Sequence, residues 1–433
     1  MIRRLIILLL IVVGVCYGTT INVPADSTTI QAGINGAEEG DTVLVAAGTY
    51  VENITWPPTN GIKLIGSGED DCFIDGNQNA SVIRFEEDLG GISTTLITGF
   101  TIQNGNAQDC GYTDSHRCRG GGMYLYFSSP TFTNVIISDN SAYQGGGMYL
   151  LSSNPTFTNV IISDNSATHG GAIYISSSTT PTFTNVTISD NLAPYGGGMY
   201  LLSSNPTFTN VTFSGNSATY GGGILFLYNI HHSGQIDGSS PTLTNSILWG
   251  NSPDEIYFWE FESAGHSITI SYSDIQGGET GIVANDGTVY WEDGNIDADP
   301  LFCDAENGDL TIQSDSPLLG AGQDGANIGA LGVGCEEPLS IVDNIIPNTY
   351  TLSSYPNPFN PTTTITFIIP EFGHTTIIAY DITGRQLETL TNEVLNMGKY
   401  SIDWNASSYP SGVYLIRMDS GDFTQTQKVL LVK

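Results

Sequence analysis

The chain has little positive charge. It carries 11 Lys and Arg residues against 44 Asp and Glu residues, which gives its 433 residues a formal net charge of −33 at pH 7. A surface this acidic repels nucleic acid and anionic lipid. The composition therefore excludes nucleic acid as a partner, and a polyanionic glycan could bind only where cations bridge the two.

Long apolar runs are also missing, apart from one at residues 5–15. That run is too short to span a bilayer. It follows Arg3 and Arg4 and precedes small residues near Gly18, which is the pattern of a secretory signal peptide. We expect residues 1–18 to be removed on export, and no later segment to be transmembrane.

Cysteine is scarce, with 6 residues in the chain, and no Cys/His spacing is that of a zinc site. Because an exported protein can hold disulfides, two bridges are candidates. Cys110 and Cys118 bracket a polar insertion, and Cys303 and Cys335 lie near the end of the patterned region. Cys72 is then left over, and we expect it to be a buried apolar residue rather than a reactive thiol.

What the sequence does contain is a repeat. Four near copies, of which PTFTNVIISDNSAYQGGGMYL is the first, begin at Pro130, Pro155, Pro181 and Pro206, so the spacings are 25, 26 and 25 residues. A looser fifth copy begins at Pro241. A fixed period of this length marks one supersecondary unit that stacks on its neighbours.

Each copy places the same residue types in the same columns. Short runs rich in Thr, Val, Ile and Tyr alternate in polarity as half-buried strands do, and Asn and Gly between them suit corners with positive φ. A helical solenoid is excluded because the repeat is poor in Leu, Ala, Glu and Lys. Three strands and three corners per copy predict one coil of a parallel β-helix, with coils about 4.8 Å apart.

Two Asn columns run through the repeat, and stacking along each explains them without a ligand. The columns are Asn134, Asn159, Asn185, Asn210 and Asn245, and Asn140, Asn165, Asn191, Asn216 and Asn251.

The FTN…N…GGG(M/I) repeats resemble the polymorphic outer-membrane-protein repeats of bacterial surface proteins, and the chain resembles the secreted right-handed parallel β-helix proteins of the pectin-lyase-like type. Residues 21–54 look like the first coils of such helices, with an amphipathic helix at residues 28–38 that caps the open end. Residues 295–330 resemble the final coils. The resemblance implies an all-β chain with a right-handed parallel β-helix at residues 19–335.

The period vanishes after a break near residues 334–338, and alternating runs predict about seven strands of a small sandwich. This segment resembles the type A C-terminal sorting domain of the type IX secretion system. The resemblance implies a linker at residues 336–351, an immunoglobulin-like β-sandwich at residues 352–433, and delivery by the type IX machinery to the outer surface of a didermic bacterium or to the medium. The matching residues are Tyr355, Pro356, Asn357, Pro358, Phe359, Asn360, Pro361, Gly384, Arg385, Gly412, Tyr414 and Lys428.

Two aromatic columns are candidates for a binding site. We expect the first, on the GGGMYL strands, to point outward, and the second comes just before the glycines. Exposed aromatic ladders suit sugar rings or a partner protein, so the sequence predicts a non-catalytic role in adhesion or in binding an extracellular glycan or surface protein. The alternative, that Tyr simply packs along its ladder as a good strand residue, stays open. The columns are Tyr124, Tyr149, Tyr174 and Tyr200, and His169, Tyr195 and Tyr220.

A polysaccharide lyase or glycoside hydrolase is the second hypothesis, and a passive surface-layer or spacer protein is the third. A lyase needs a base and a group that neutralises the substrate carboxylate, for which Arg117 and Arg119 are available. A hydrolase needs paired carboxylates, for which Asp139, Asp164 and Asp190 are candidates, although the repeat alone explains their column. No residue is assigned as catalytic.

Metal binding has weak support in the sequence. His231 and His232 are adjacent in an insertion with no evident third ligand. A late acidic stretch could hold Ca²⁺, although its spacing matches no EF-hand. Ca²⁺ is therefore the one candidate cofactor. The acidic residues are Asp297, Asp299, Asp304, Glu306 and Asp309.

Overall fold

In a computed structural model the chain forms two compact units, divided after residue 337. The structure describes residues 18–86, 94–108, 118–230, 236–260, 265–335, 349–370, 373–395, 398–421 and 423–433. The expected signal peptide lies outside these residues apart from Gly18.

The first unit is a parallel β-helix, because each strand pairs with its equivalent one coil later. Phe132 pairs with Phe157, and Phe157 pairs with Phe183, in parallel register. The largest sheet contains fifteen strands among the described residues. They are Thr20–Val23, Thr42–Val45, Gly48–Val51, Lys63–Ile65, Cys72–Asp75, Leu96–Gln103, Thr131–Ser138, Thr156–Ser163, Thr182–Ser189, Thr207–Ser214, Thr242–Thr244, Ile247–Trp249, Ser267–Ser271, Asp274–Ile275 and Thr288–Trp291.

Two further sheets complete the coils. The second sheet has eight strands, and the third has three short ones. A short antiparallel pair, Asn229–Ile230 with Ile236–Asp237, lies in the insertion between the fourth and fifth copies. The second sheet comprises Ile54–Thr55, Ile83–Phe85, Met123–Tyr126, Met148–Leu151, Ile173–Ser176, Met199–Leu202, Ile224–Leu227 and Ile256–Phe258, and the third comprises Asn106–Ala107, Ser141–Gln144 and Ser166–His169.

Stacked apolar side chains fill the interior. The Phe column is fully buried, and its rings stack at centroid distances of 5.2, 4.7 and 5.1 Å from Phe132 through Phe157 and Phe183 to Phe208. Met148 and Leu150 of the second sheet are also fully buried. Alternate residues of each strand therefore form one continuous core along the helix axis.

The inner Asn ladder (Asn140, Asn165, Asn191, Asn216 and Asn251) is the main polar element of this core. The side-chain oxygen Oδ1 of Asn165 accepts hydrogen bonds from both the backbone N–H and Nδ2 of Asn140, each at 3.1 Å. The same double contact joins each later pair of the ladder. Since these residues are at most 7% exposed, the ladder satisfies donors that water cannot reach.

Glu255 terminates the inner Asn ladder. The next coil offers no Asn, and the Glu255 carboxylate instead accepts hydrogen bonds from the backbone N–H of Asn251, at 3.1 Å, and from Asn251 Nδ2. Glu255 is only 4% exposed, and burial raises its pKa to about 7 in spite of these bonds. At the end of the ladder, the Glu255 carboxylate thus accepts the two hydrogen bonds that the side-chain oxygen of the next Asn accepts within the ladder.

The outer Asn ladder (Asn134, Asn159, Asn185 and Asn210) runs in the opposite sense. Here Nδ2 of Asn159 donates to Oδ1 of Asn134 at 3.1 Å, toward the N-terminus of the stack. The next two pairs repeat the contact. These residues adopt φ between 51° and 54° at the bend of the long strands, a conformation that Asn tolerates better than most residues.

A short helix, Ile30–Asn35, lies at the N-terminal end. The hydroxyl of Thr29 accepts a hydrogen bond from the backbone N–H of Ala32 at 3.1 Å. Ile30 and Ile34 are buried. The helix is shorter than the predicted span of residues 28–38, because Thr29 caps its start and Gly36 its end.

The C-terminal part of the first unit, residues 297–335, folds back over the outside of the coils, and we call it the fold-back segment. Backbone N–H groups of Gln323 and Ala330 donate to Asn245 Oδ1 and Thr212 Oγ1, at 2.7 and 3.0 Å. A small sheet of Phe302–Asp304, Asp309–Gln313 and Val333–Cys335 forms here, and a disulfide joins Cys303 to Cys335. The segment includes the 3₁₀ helices Ala305–Asn307 and Gln323–Gly325, and a third, Glu279–Gly281, precedes it.

Of the other cysteines, Cys118 is in a disulfide, and its expected partner Cys110 lies outside the described residues. Cys72 is buried and free.

The second unit is a β-sandwich of two antiparallel sheets that share one core. Its first strand begins at residue 351, one residue before the expected domain start. The sheets contain Thr351–Tyr355, Thr362–Ile369 and Gly398–Asn405, and Gly373–Asp381, Gln386–Leu395, Gly412–Ser420 and Phe423–Leu431.

The inner Asn ladder generates a stability prediction. Asn165→Ala leaves the buried backbone N–H of Asn140 without an acceptor and removes the three hydrogen bonds that Asn165 Nδ2 donates, so we expect a loss of about 3 kcal/mol in the free energy of unfolding. Asn159→Gly is the matched control, because it removes a link of the outer Asn ladder and keeps positive φ accessible. We expect that control to cost less than about 1 kcal/mol. Urea unfolding of the full chain measures both, and equal losses would contradict this assignment.

Candidate functional site

The first aromatic column does not form an exposed ladder. Tyr124, Tyr149, Tyr174 and Tyr200, the Tyr ladder, point away from the main core, yet they are only 3%, 4%, 5% and 7% exposed. Their rings stack at centroid distances of 5.7, 5.0 and 4.5 Å. The expectation that these four residues are exposed is therefore wrong.

Neighbouring apolar side chains bury the Tyr ladder. The next outward position of the same strands is again apolar, at Tyr126, Leu151 and Leu202, and these side chains pack against it. His169 contacts Tyr200 edge to face at 5.6 Å. The outer face of the second sheet thus carries a small core of its own. An apolar residue two positions after three of the four Tyr residues is the sequence signal for this burial.

The second aromatic column does reach solvent. We call Tyr143, His169, Tyr195, Tyr220 and Trp259 the aromatic belt. His169 stacks on Tyr195 at 5.2 Å, and Tyr195 stacks on Tyr220 at 5.8 Å. Tyr143 contacts His169 at one end, at 5.4 Å, and Trp259 contacts Tyr220 at the other, at 5.2 Å. Tyr143 is 48% and Tyr220 36% exposed, so the belt presents ring surface over a rigid support.

Charge in the aromatic belt is low, since burial lowers the pKa of His169 below its usual value. The imidazole is therefore neutral at physiological pH and acts as a further flat ring.

The two described arginines of the β-helix are engaged by the Tyr ladder. The guanidinium of Arg84 lies 4.3 Å from the ring centre of Tyr124, and that of Arg119 lies 4.8 Å from the ring centre of Tyr149. Arg84 also pairs with Glu86 at 2.6 Å. Arg117 lies outside the described residues. The candidate lyase arginine Arg119 is thus used in packing and cation–π contact.

The Asp column has a conformational cause. Asp139, Asp164 and Asp190 have φ of 57°, 57° and 58°, and the equivalent residues Asn104 and Gly215 have φ of 58° and 68°. Asn, Asp and Gly are the residues that tolerate the left-handed region. The corner therefore selects these residues, and their regular spacing is no sign of catalysis.

One member of the Asp column does line a concave site, the acidic groove. Asp190, Trp249, Asp299, Phe302 and Glu306 line this cavity of about 450 Å³. Asp190 comes from a coil corner, and Asp299 and Glu306 come from the segment that folds back. Sequence reasoning named the Asp column and the late acidic stretch separately but did not bring them together.

Gly215 makes room for the Asp190 carboxylate. A Cβ atom at residue 215 would lie 2.4 Å from Asp190 Oδ1. Partial burial, together with the neighbouring charge of Asp164, raises the pKa of Asp190. The break in the Asp column at residue 215 therefore lets the carboxylate of the last Asp sit beside the groove.

Metal ligation gains no support from the described residues, where no three His, Cys, Asp or Glu side chains lie close enough to hold an ion. Asp297, Asp304 and Asp309 are exposed and do not line the acidic groove. His231 and His232 lie outside the described residues.

Comparison with known proteins agrees with this architecture. The family model "Right handed beta helix region" matches residues 50–290, more than half of the chain. The chain belongs to the right-handed β-helix family. No curated protein matches it.

Solved structures similar to this β-helix protein include two pectin methylesterases. The enzyme from Yersinia enterocolitica is 14% identical with a TM-score of 0.32, over 61% of this chain and 90% of that one. PemA from Erwinia chrysanthemi is 14% identical with a TM-score of 0.32, over 63% and 81%. A PL6 family alginate lyase is 11% identical with a TM-score of 0.21, over 73% and 58%. Likeness at this level carries no conclusion about activity.

The tail of the β-helix protein matches a second model, "Secretion system C-terminal sorting domain", at residues 353–433. The chain is therefore handled by the type IX secretion machinery and secreted to the cell surface or beyond. No helix in the described part of the chain is long and apolar enough to cross a membrane.

Residues of the sorting-domain motif hydrogen-bond to the last strand of the sandwich. Nδ2 of Asn357 donates to the carbonyl of Lys428 at 2.9 Å, and Asn357 Oδ1 accepts from the backbone N–H of Leu430 at 2.9 Å. Phe359 is buried, with its ring 5.5 Å from that of Trp404. The motif that begins at Tyr355 thus holds the C-terminal strand, although the two lie some seventy residues apart.

Other motif residues form the turns of the sandwich. Gly384 has φ of 82°, and the backbone N–H of Arg385 donates to Asp381 Oδ1 at 3.0 Å. Gly412 begins a strand, and Tyr414 Oη donates to the carbonyl of Pro410 at 2.6 Å.

The buried carboxyl of Asp274 makes the stability of the β-helix depend on pH, in addition to that of Glu255. Asp274 is fully buried, Oδ1 accepts from the backbone N–H of Ala298 at 3.0 Å, and Oδ2 has no partner. Burial, reinforced by Asp297, Asp299 and Glu255, raises its pKa to about 7 from 3.8. The folded state therefore holds this proton more tightly than the unfolded state, and the stabilisation falls as pH rises through this window.

We predict that Asp274→Asn, which mimics the protonated carboxyl, leaves stability unchanged near pH 4 and raises it at pH 8 by on the order of 3 kcal/mol. Thermal unfolding of the full chain across this range measures the difference. The control Asp315→Asn changes an exposed carboxylate and should track the parent at every pH. A parallel profile for Asp274→Asn would contradict the prediction.

Proposed function

We propose that the protein is a secreted or surface-attached, non-catalytic binding protein whose aromatic belt recognises a neutral extracellular glycan. The observation that carries the proposal is the belt itself, in which five aromatic rings contact one another in sequence from Tyr143 to Trp259. The end rings, Tyr143 and Trp259, are turned away from the stack and can offer a flat apolar face to a sugar ring, and the stacked rings between them offer their edges and the Tyr hydroxyls.

The support beneath the belt favours this role. Tyr195 and Trp259 of the belt pack against the buried Tyr ladder, and His169 contacts Tyr200, so these three rings lose little side-chain freedom on binding. The repeated ring spacing, 5.2 and 5.8 Å for the two stacked pairs, suits a ligand that is itself a repeat. The net charge of −33 favours a neutral glycan over a polyanion.

Catalysis is the weaker candidate. Arg84 and Arg119 are engaged by tyrosine rings, and the corner conformation explains the Asp column. One observation favours hydrolysis, namely the raised pKa of Asp190 beside Asp299 and Glu306 in the acidic groove, since a glycosidase uses one carboxyl group as an acid.

A glycan array probed with the full chain tests the proposal. We expect binding to neutral polysaccharides, weakened about tenfold by Tyr220→Ala, which corresponds to 1.4 kcal/mol. Tyr195→Ala should weaken binding similarly. Tyr149 and Tyr174 are unsuitable for this test because they are buried. Tyr290→Ala is the control, since it removes a ring that is 54% exposed outside the belt.

Each other outcome identifies a different function. Binding that survives both belt substitutions would remove the belt as the site. Release of reducing ends from a bound polysaccharide would replace the proposal with glycoside hydrolysis. Binding to neither glycans nor surface proteins would leave a passive spacer.

A further inference from the structure

The acidic groove is a cavity with a partly apolar lining, and its charged side chains are all negative. Its volume of about 450 Å³ falls in the range of small-ligand sites. Trp249, Leu301, Phe302 and Leu310 supply apolar surface, and Ser214 and Gln313 supply polar groups.

The charge in this groove is unbalanced. Asp190, Asp299 and Glu306 line it, and none of the described residues that line it is Lys, Arg or His. Partial burial and Asp164 oppose the charge on Asp190. A ligand that brings a positive charge would relieve this repulsion and gain a charge-assisted hydrogen bond.

We propose that the acidic groove binds an amino sugar, with its ammonium group near Asp190 and a sugar ring against Trp249. Aromatic rings suit both the flat apolar face of a sugar and the cation beside it. Ser214 and Gln313 can hydrogen-bond to the hydroxyl groups of a sugar. A lysine-rich peptide would bring the positive charge but has no such hydroxyl groups. The ligand class is therefore a glucosamine-type oligosaccharide with free amines.

The way the groove forms agrees with a dedicated site. Its floor belongs to regular coils, while Asp299, Phe302 and Glu306 belong to the fold-back segment, in which a disulfide joins Cys303 to Cys335. The repeat alone would place none of these three residues beside Asp190. This inference is independent of the proposed role of the aromatic belt, which shares no residue with the acidic groove.

Calorimetric titration of the full chain with two matched ligands tests the inference. One is a β-linked glucosamine hexamer, and the other is the same hexamer with every amine acetylated, so the two differ in charge. At mildly acidic pH and low salt we expect the free amine form to bind at least about tenfold more tightly. Added salt should weaken that binding.

Four variants locate the binding. Asp190→Asn removes the charge and keeps a residue that tolerates φ of 58°, and we expect affinity to fall about tenfold or more. Asp139→Asn makes the same change at the same corner two coils away and should bind as the parent does. Asp299→Asn is a second test inside the groove, should Asp190→Asn fold poorly. Tyr220→Ala, in the aromatic belt, should leave this affinity unchanged.

Several results would overturn the inference. Equal affinity for the two hexamers would show that the groove does not distinguish a charged amine from an acetylated one. Parent-like affinity in Asp190→Asn and Asp299→Asn would place the site elsewhere. Equally tight binding of tetralysine would show that the groove attracts any polycation. A loss of glucosamine binding in Tyr220→Ala would assign the ligand to the aromatic belt instead.

Discussion

The structure depends on one constraint, that each residue lies on its equivalent in the next coil. Polar groups in the interior must then find partners within the protein, because water does not reach them, and much of this pairing runs along the helix axis from one coil to the next. The inner Asn ladder meets this requirement with two hydrogen bonds per step. Where the Asn column ends, Glu255 takes its place, at the cost of a buried carboxyl with a raised pKa.

Stacking also decides how much the sequence can predict. The Phe, Asn and Gly columns were predictable because a column needs the same side chain or the same positive φ in every coil. The burial of the Tyr ladder was not predictable, because strand alternation shows only that Tyr149 points away from the core. Its burial depends on Leu151 and on neighbours from other corners. The acidic groove was out of reach for a similar reason, since it needs a segment a hundred residues later to fold back near Asp190.

Function is therefore sought where the stack is interrupted. The aromatic belt lies along the third sheet and its continuation, where Gln144 of one coil is followed by His169, Tyr195 and Tyr220 in the next three coils. The acidic groove lies where the last Asp of a column meets the fold-back segment. The sorting domain does not depend on this stacking. Its short motif hydrogen-bonds to the final strand, and the domain directs the chain out of the cell.

Native-state hydrogen exchange of the ladder amides distinguishes a cooperative stack from coils that open one at a time. The backbone N–H groups of Asn140, Asn165, Asn191 and Asn216 each donate to the next Asn side chain. If the inner Asn ladder holds the coils as one cooperative stack, these four amides should exchange at one common slow rate, set by unfolding of the whole β-helix. Rates that rise steadily from Asn140 toward Asn216 would show that coils open singly from the Glu255 end and would contradict the account.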